Sequence, residues 1–388
     1  MTRITTAALL CAALMAVQAT KPALAQTHMM TIKESSGHGM ATADKPHSGP
    51  HGGMMKPGHG AMHGPARMMG NHLMPAGKVM LGYSFGAMSM SGNRIGTTEV
   101  SDAFVATQVP NVFFGAPGQP PTLRIVPQEM TMQMHMFGLM YAPTDRLTLM
   151  AMLPWVEKSM TSTTYAGAAG TTVLGRSKMR SEGLGDIRVG GTFGLMRDHR
   201  SQLLFGMTMS LPTGSITETG TMLSPMGMQM TRRMAYPMQL GSGTYDLMPT
   251  LSYRSGKGRF NYGAQLRGTV RLGSNDEGYS LGDEVAVAAW ASYKPAPLYS
   301  VWGKIEAARL GRIDGRDALI AGPMQGANPA FQGGDTVTLT AGIDFTLQDG
   351  PLKGHRIGLD IGAPIYQDLN GPRLGTDWVL GASWRKMF

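Results

Sequence analysis

From position 78 onward the chain alternates apolar and polar residues in short segments, and a period of two predicts half-buried β-strands rather than helices. Val79, Leu81, Tyr83 and Phe85 fall on one face, with Met80, Ser84 and Met88 on the other. Leu147, Leu149, Ala151, Leu153 and Trp155 oppose Thr148, Met150 and Met152. The pattern recurs around 187–196, 202–211, 245–254, 260–272, 281–293, 301–307, 336–347 and 356–365. With 130–137 and the closing 374–388 this makes twelve segments, an even number, as single-chain bacterial barrels require.

The closing segment argues for lipid. Leu374, Thr376, Trp378, Leu380, Ala382, Trp384 and Phe388 share one face. Aromatics at a strand end settle at a membrane interface, and Lys386 on the same face can snorkel to the headgroups. The strand 130–137 is harder to orient. If Met130, Met132, Met134 and Met136 faced inward, Gln133 and His135 would meet lipid, so the less costly placement turns these methionines outward.

Loop lengths sort by parity. The connections at 142–145, 197–200, 254–258, 294–297 and 348–353 are tight; the alternate ones at 91–127, 157–182, 212–242 and 310–333 are long. Placing both termini in the periplasm puts every tight turn on that side. The polar faces carry Asp186, Arg188, Arg267, Arg271, Glu284, Lys304, Glu306, Asp344, Arg356 and Asp360. An Arg or Lys facing lipid at mid-depth would cost about 2–4 kcal/mol, so these residues face a wet lumen. The predicted fold is all-β, a transmembrane antiparallel β-barrel of about 12 strands over 78–388.

Composition supports this reading without adding a site. The 388 residues include 53 Gly, and charged residues are only 15%. After the N-terminus no apolar run is long enough for a helical span. The formal charge of +9 lacks a Lys/Arg run of the kind nucleic acid demands. Residues 1–25 read as a signal peptide: Arg3, an apolar stretch from Ala7 to Val17, and Ala23-Leu24-Ala25 before Gln26. Cys11 lies inside it, so the mature chain has no thiol.

Residues 26–77 read as a separate, disordered periplasmic arm. Its first fifty residues hold seven of the ten His and nine Met among Gly, Pro and Ser. Such a composition buries too little apolar surface to fold alone.

The runs GLGDIRVG (183–190), MSLPTGSI (209–216), QLGSGTYDLMPTLSY (239–253) and RLGSNDEGYSLGDE (271–284) resemble outer-membrane transporters of the "MetA-pathway of phenol degradation" type, and APTDRLTLMAMLPW (142–155) fits the same pattern. The resemblance covers about 130–388. It implies a barrel for uptake or export of small molecules and supports fold more than substrate. The arm, in HGGMMKPGHGAMHG (51–64), is similar in composition to the tract of outer-membrane copper-resistance proteins of the B type.

Thioethers suit Cu(I) or Ag(I), and imidazole also takes Cu(II). The candidate ligands in the arm are His38, Met40, His47, His51, Met54, Met55, His59, Met62, His63, Met68, Met69, His72 and Met74. In the barrel, alternation places Met80, Met88, Met90, Met150, Met152, Met196 and Met248 inward, and Met80, Met88, Met150, Met152 and Met248 are the candidate ligands there. After Met248 only Met324 and Met387 remain, an asymmetry that gap-filling by a pliable side chain does not require. No catalytic motif is present, so no enzyme is expected.

The expected protein is an outer-membrane transporter for a small solute, with copper or silver binding or export through the arm and a Met-lined lumen. One alternative is a channel for small aromatic or apolar compounds with no metal role. Another is a non-conducting, metal-sequestering or structural outer-membrane protein. Expected partners are outer-membrane lipid, the barrel-assembly machinery through the C-terminal strand, and the solute or copper ion.

Overall fold

In the computed structural model the described residues are Pro65 and 72–388 apart from 199. The chain divides into Met1–Met55 and Lys56–Phe388, and all that follows concerns the second unit. In order, its elements are β1 (Val79–Gly96), β2 (Thr98–Val100), the helix α1 (Asp102–Gln108), β3 (Ile125–Thr144), β4 (Leu147–Tyr165), β5 (Val173–Leu184), β6 (Arg188–Arg197) and β7 (Ser201–Ser210). After them come β8 (Thr219–Leu223), β9 (Gln229–Arg233), β10 (Tyr245–Lys257), β11 (Phe260–Leu272), β12 (Tyr279–Ser280), β13 (Glu284–Ala296), β14 (Tyr299–Leu310), β15 (Asp314–Gly315), β16 (Gly334–Thr346) and β17 (His355–Met387). No helix among the described residues is long and apolar enough to cross a membrane.

Eleven of these strands form a closed antiparallel barrel in the order β17, β16, β14, β13, β11, β10, β7, β6, β4, β3, β1, with β17 returning to β1; β2 and β5 lie outside this path. Strand β17 serves twice in the wall. Residues from Arg356 to Leu369 pair antiparallel with β16, and residues from Leu369 to Met387 pair antiparallel with β1. Around an alternating barrel these two halves must run in opposite directions. The 33-residue run therefore reverses near 369–373, and Gln367 bonds to the backbone of Thr376 across the turn (2.8 and 3.1 Å). Counted by passes the wall has twelve; counted by assigned strands it has eleven.

Strand β4 pairs with β6 through Leu147–Met152 and with β5 through Trp155–Tyr165. Thus β5 and β6 are two lengths of one path, broken at 185–187. At 18 to 20 residues, β1, β3 and β4 are about twice the 9–11 that cross a bilayer. They project beyond it on the side of the long loops.

The outer surface of the barrel carries Leu81, Leu139, Leu149, Leu153, Ile305, Leu339, Ile361 and other exposed apolar residues. On a soluble protein such a belt would drive association; in lipid it is the solvent-facing side. The tight turns all fall on one rim and the long loops on the other, as the parity of loop lengths predicts.

Before β1 the chain lies against the inside of the tight-turn rim. Met74 is buried on Met80, Met140 and Ala142, and its N–H donates to Thr148 Oγ1 at 3.1 Å. Ala76 N–H donates to Asp145 Oδ1 at 2.8 Å.

Candidate functional site

Because antiparallel partners at one level point to the same side of a sheet, the register fixes what the lumen contains. Three rows of methionine emerge on the first strands. Met80, Met140 and Met150 are successive partners across β1, β3 and β4. Met88 pairs with Met132 one row further on. Met90, Met130, Met160 and Met179 are successive partners across β1, β3, β4 and β5. Met134, Met136 and Met152 fill the levels between, beside Gly82, Gly86 and Gly138.

This overturns the expected orientation of β3. Met130, Met132, Met134 and Met136 face inward, while His135 faces out. The physical reason is a local partner for the imidazole. His135 Nδ1 shares a 2.8 Å hydrogen bond with Tyr83 Oη, and Phe85 covers the ring at 5.1 Å. The outward placement of His135 is thus far less costly than for a bare polar side chain.

Four of the five candidate ligands in the barrel lie on this wall; Met248, on β10, lies three strands further round, beside β11. Met80, Met88 and Met152 line a cavity of about 300 Å³ with Met132, Met134, Met136 and Met140. Met88, Met150 and Met248 border a second cavity of about 440 Å³. Two hydroxyls point at the sulfurs: Thr376 Oγ1 lies 3.9 Å from Met88 Sδ, and Thr208 Oγ1 lies 4.0 Å from Met150 Sδ. Of the arm, Met74 joins Met80, and His72 is half-buried. His38, Met40, His47, His51, Met54, Met55, His59, Met62, His63, Met68 and Met69 fall outside the described residues. Pro65 reaches the second cavity.

The opposite wall is charged. Arg267 Nη2 donates to Glu284 (2.9 Å) and Glu306 (3.1 Å), and Lys304 donates to the other oxygen of Glu306 at 3.3 Å. Arg271 pairs with the buried Asp246, which also accepts from Thr244 Oγ1 at 2.6 Å. The lumen is therefore two-sided, with thioethers on one wall and ion pairs on the other, and Met88 and Val379 border both cavities.

The long-loop rim carries a polar collar and an apolar cap. Asp186, in the break between β5 and β6, accepts from Gly214 N–H (2.9 Å) and Ser242 N–H (2.8 Å). Gly241 and Gly214 approach so closely that a Cβ on Gly241 would come within 2.4 Å of the Gly214 carbonyl oxygen. Asn275 donates to Ser242 O at 3.0 Å. Lys158 reaches from β4 to the carbonyls of Pro237 and Gln239, and Ser181 donates to Met238 O at 2.7 Å. The GLGD, PTG, GSG and SND segments, far apart in sequence, thus meet at one place.

Above the collar, Tyr236 and Tyr279 pack edge-on at 4.9 Å beside Met222, Met234 and Met238. Burial pushes both phenols above their ordinary range. Arg233 bridges Glu277 and Asp317, each at 2.7 Å. Burial alone would lower its guanidinium, but these two hydrogen bonds outweigh it and hold it above its usual value. Among the described residues, no three His, Cys, Asp or Glu side chains group as a metal site.

The sequence missed Met130, Met132, Met134, Met136, Met140, Met160 and Met179 as lumen residues. Pairing with β1 is the signal that finds those on β3; Met160 and Met179 lie within 157–182, expected to be a loop but occupied by the ends of β4 and β5. That register could not be read through the long 91–127 connection.

No protein-family model matches this chain, and no curated protein matches it. Solved structures do. It is similar to an outer-membrane channel from Pseudomonas putida F1 (12% identity, 81% of this chain and 97% of that one, TM-score 0.51). It is also similar to the P. putida toluene transporter TodX (14% identity, 81% and 91%, TM-score 0.43) and to a Pseudomonas aeruginosa FadL homologue (10% identity, 80% and 89%, TM-score 0.38). At these identities the likeness concerns fold. The first match supports a closed β-barrel fold.

Proposed function

We propose that this protein is an outer-membrane channel for small aromatic or apolar solutes. The observation that carries the reading is the cavity of about 300 Å³ walled chiefly by methionine and glycine, with Ser84, Ser383 and Arg385 also in its lining, inside a barrel whose other wall is charged. Its volume lies at the lower end of the range for small-molecule pockets, about 300–1,000 Å³. Thioethers favour aromatic faces by about 0.3–1.5 kcal/mol per contact, and their flexible stems adapt to several shapes. A series of such weak contacts suits passage better than retention, since a conducting site must also release. In this reading the wet, charged wall keeps water and a solute's polar end on one side while its apolar face travels along the other.

The tight turns and the arm would lie in the periplasm and the long loops outside. The last strand would be the part presented to the barrel-assembly machinery. A second reading, a barrel closed by its own arm, is favoured by two observations: Pro65 borders the larger cavity and Met74 is buried at the rim.

The test is transport into proteoliposomes. Entry of a monocyclic aromatic should outpace that of a sugar of similar mass, and Met134→Arg with Met136→Arg should slow it while leaving the barrel folded. Equal rates for both solutes, or no entry of either, would overturn the channel reading as stated.

A further inference from the structure

The row Met90, Met130, Met160 and Met179 stands apart from the larger cavities. It borders a void of about 50 Å³ at the long-loop end of the lumen. A fifth thioether, Met324, closes the void from above. It is held there because Arg124 and Ile125 N–H groups both donate to Pro323 O, at 2.8 and 2.9 Å, and Ile125 forms a bridge with Met324 itself. Met130, Met160, Met179 and Met324 are all buried. Side chains of adjacent partners stand about 4.5–5.5 Å apart at Cβ, so their sulfurs can converge on one centre.

Two buried side-chain oxygens of residues that line the void are unsatisfied. They are Ser162 Oγ and Gln325 Oε1; their residues are 1% and 2% exposed, and neither atom has a hydrogen-bond partner among the described residues. A buried acceptor without a partner costs about 1–3 kcal/mol. The void is large enough for a water or an ion, which needs about 10–15 Å³, and too small for an aromatic ring. Apolar packing alone does not account for two orphaned oxygens in the lining of a void beside a thioether row.

The donor set selects its ligand. Neutral sulfur donors bind soft, polarizable d10 ions and hold hard dications poorly. Arg373 also borders the void, with its Nη1 turned to Gly333 O at 3.0 Å, and no carboxylate among the described residues lines it. A divalent ion would meet that guanidinium without an anion to offset it, whereas a single positive charge spread over sulfur meets the least repulsion. We infer that this row is a binding site for one soft monovalent cation of the Cu(I) or Ag(I) class. The site is independent of which solute the larger cavity passes.

Methyl-13C methionine labelling of the full-length protein in detergent micelles tests it, with Ag(I) as the probe and Zn(II) as the less soft, divalent control. The first equivalents of Ag(I) should shift the methyl resonances of Met130, Met160 and Met179, assigned through single Met→Leu variants. Zn(II) should leave these resonances in place. The double variant Met130→Leu with Met160→Leu, which nearly conserves volume, should lose the Met179 shift while the barrel keeps its folded mobility on unheated gels. Single variants serve if the double variant does not fold. If Ag(I) moves only resonances that no row substitution removes, the silver is on the arm, the void holds water, and the inference is wrong.

Discussion

Tyr83 on β1 and His135 on β3 share a 2.8 Å hydrogen bond on the outside of the barrel. That contact makes the inward methionine face of β3 tolerable, because it satisfies the one polar ring that must then meet lipid. The same face continues Met80, Met88 and Met90 of β1, and the two strands together set the character of one wall.

The pair is therefore expected to behave asymmetrically. Tyr83→Phe leaves the imidazole without its partner and should destabilise the barrel by about 1–3 kcal/mol. His135→Leu replaces the polar group by an apolar one and should be neutral or stabilising. Urea unfolding in lipid vesicles measures both, and a neutral Tyr83→Phe with a damaging His135→Leu would place His135 in the lumen instead.

The charged wall should govern ion preference. Glu306 accepts from Arg267 and Lys304, so Glu306→Gln removes a carboxylate shared by two lumen cations, while Glu284 still accepts from Arg267. The reversal potential across a KCl gradient should move toward anion selectivity. Stability should change by no more than about 1 kcal/mol, since Arg267 is partly exposed and the pair is screened.

Asp186 should hold the outer collar. Asp186→Ala removes the acceptor for Gly214 and Ser242 N–H groups, charge-assisted bonds each contributing about 1.5–3 kcal/mol. Proteolysis within 212–242 should accelerate by about tenfold for each 1.4 kcal/mol lost locally. Unchanged cleavage would show that Lys158 and Ser181 suffice to pin the segment.

The cap should report alkaline pH. Burial raises the phenols of Tyr236 and Tyr279, so the protonated forms are favoured in the folded state. Their contribution to stability is complete below the unfolded tyrosine value of about 10 and declines as pH rises above it. Absorbance at 295 nm should show a late-titrating component among the eleven tyrosines, diminished in Tyr279→Phe. If all tyrosines ionise together with the cap intact, the cap is open to water.

Much of this architecture was legible in the chain, because a period of two and the parity of turns are local or nearly local properties. Alternation at Leu147–Trp155, the tight turns at 142–145 and 254–258, and the crowding of methionine up to Met248 were all visible without knowing any long-range partner. The twelve predicted segments correspond to the strands of the wall, the last two fused into β17.

What the tertiary structure alone decided is which long-range neighbours each strand acquired. The inward face of β3 depends on Tyr83, 52 residues away in sequence, and no local pattern encodes that partnership. The row from Met90 to Met179 exists only once four strands are in register, because a shift of one residue would turn each side chain to the opposite face. The sequence by itself determined that the chain makes an alternating, closed barrel with methionine concentrated in its first half. Register and loop closure, which depend on contacts across the whole wall, decided that those methionines meet as a lumen wall and enclose a site.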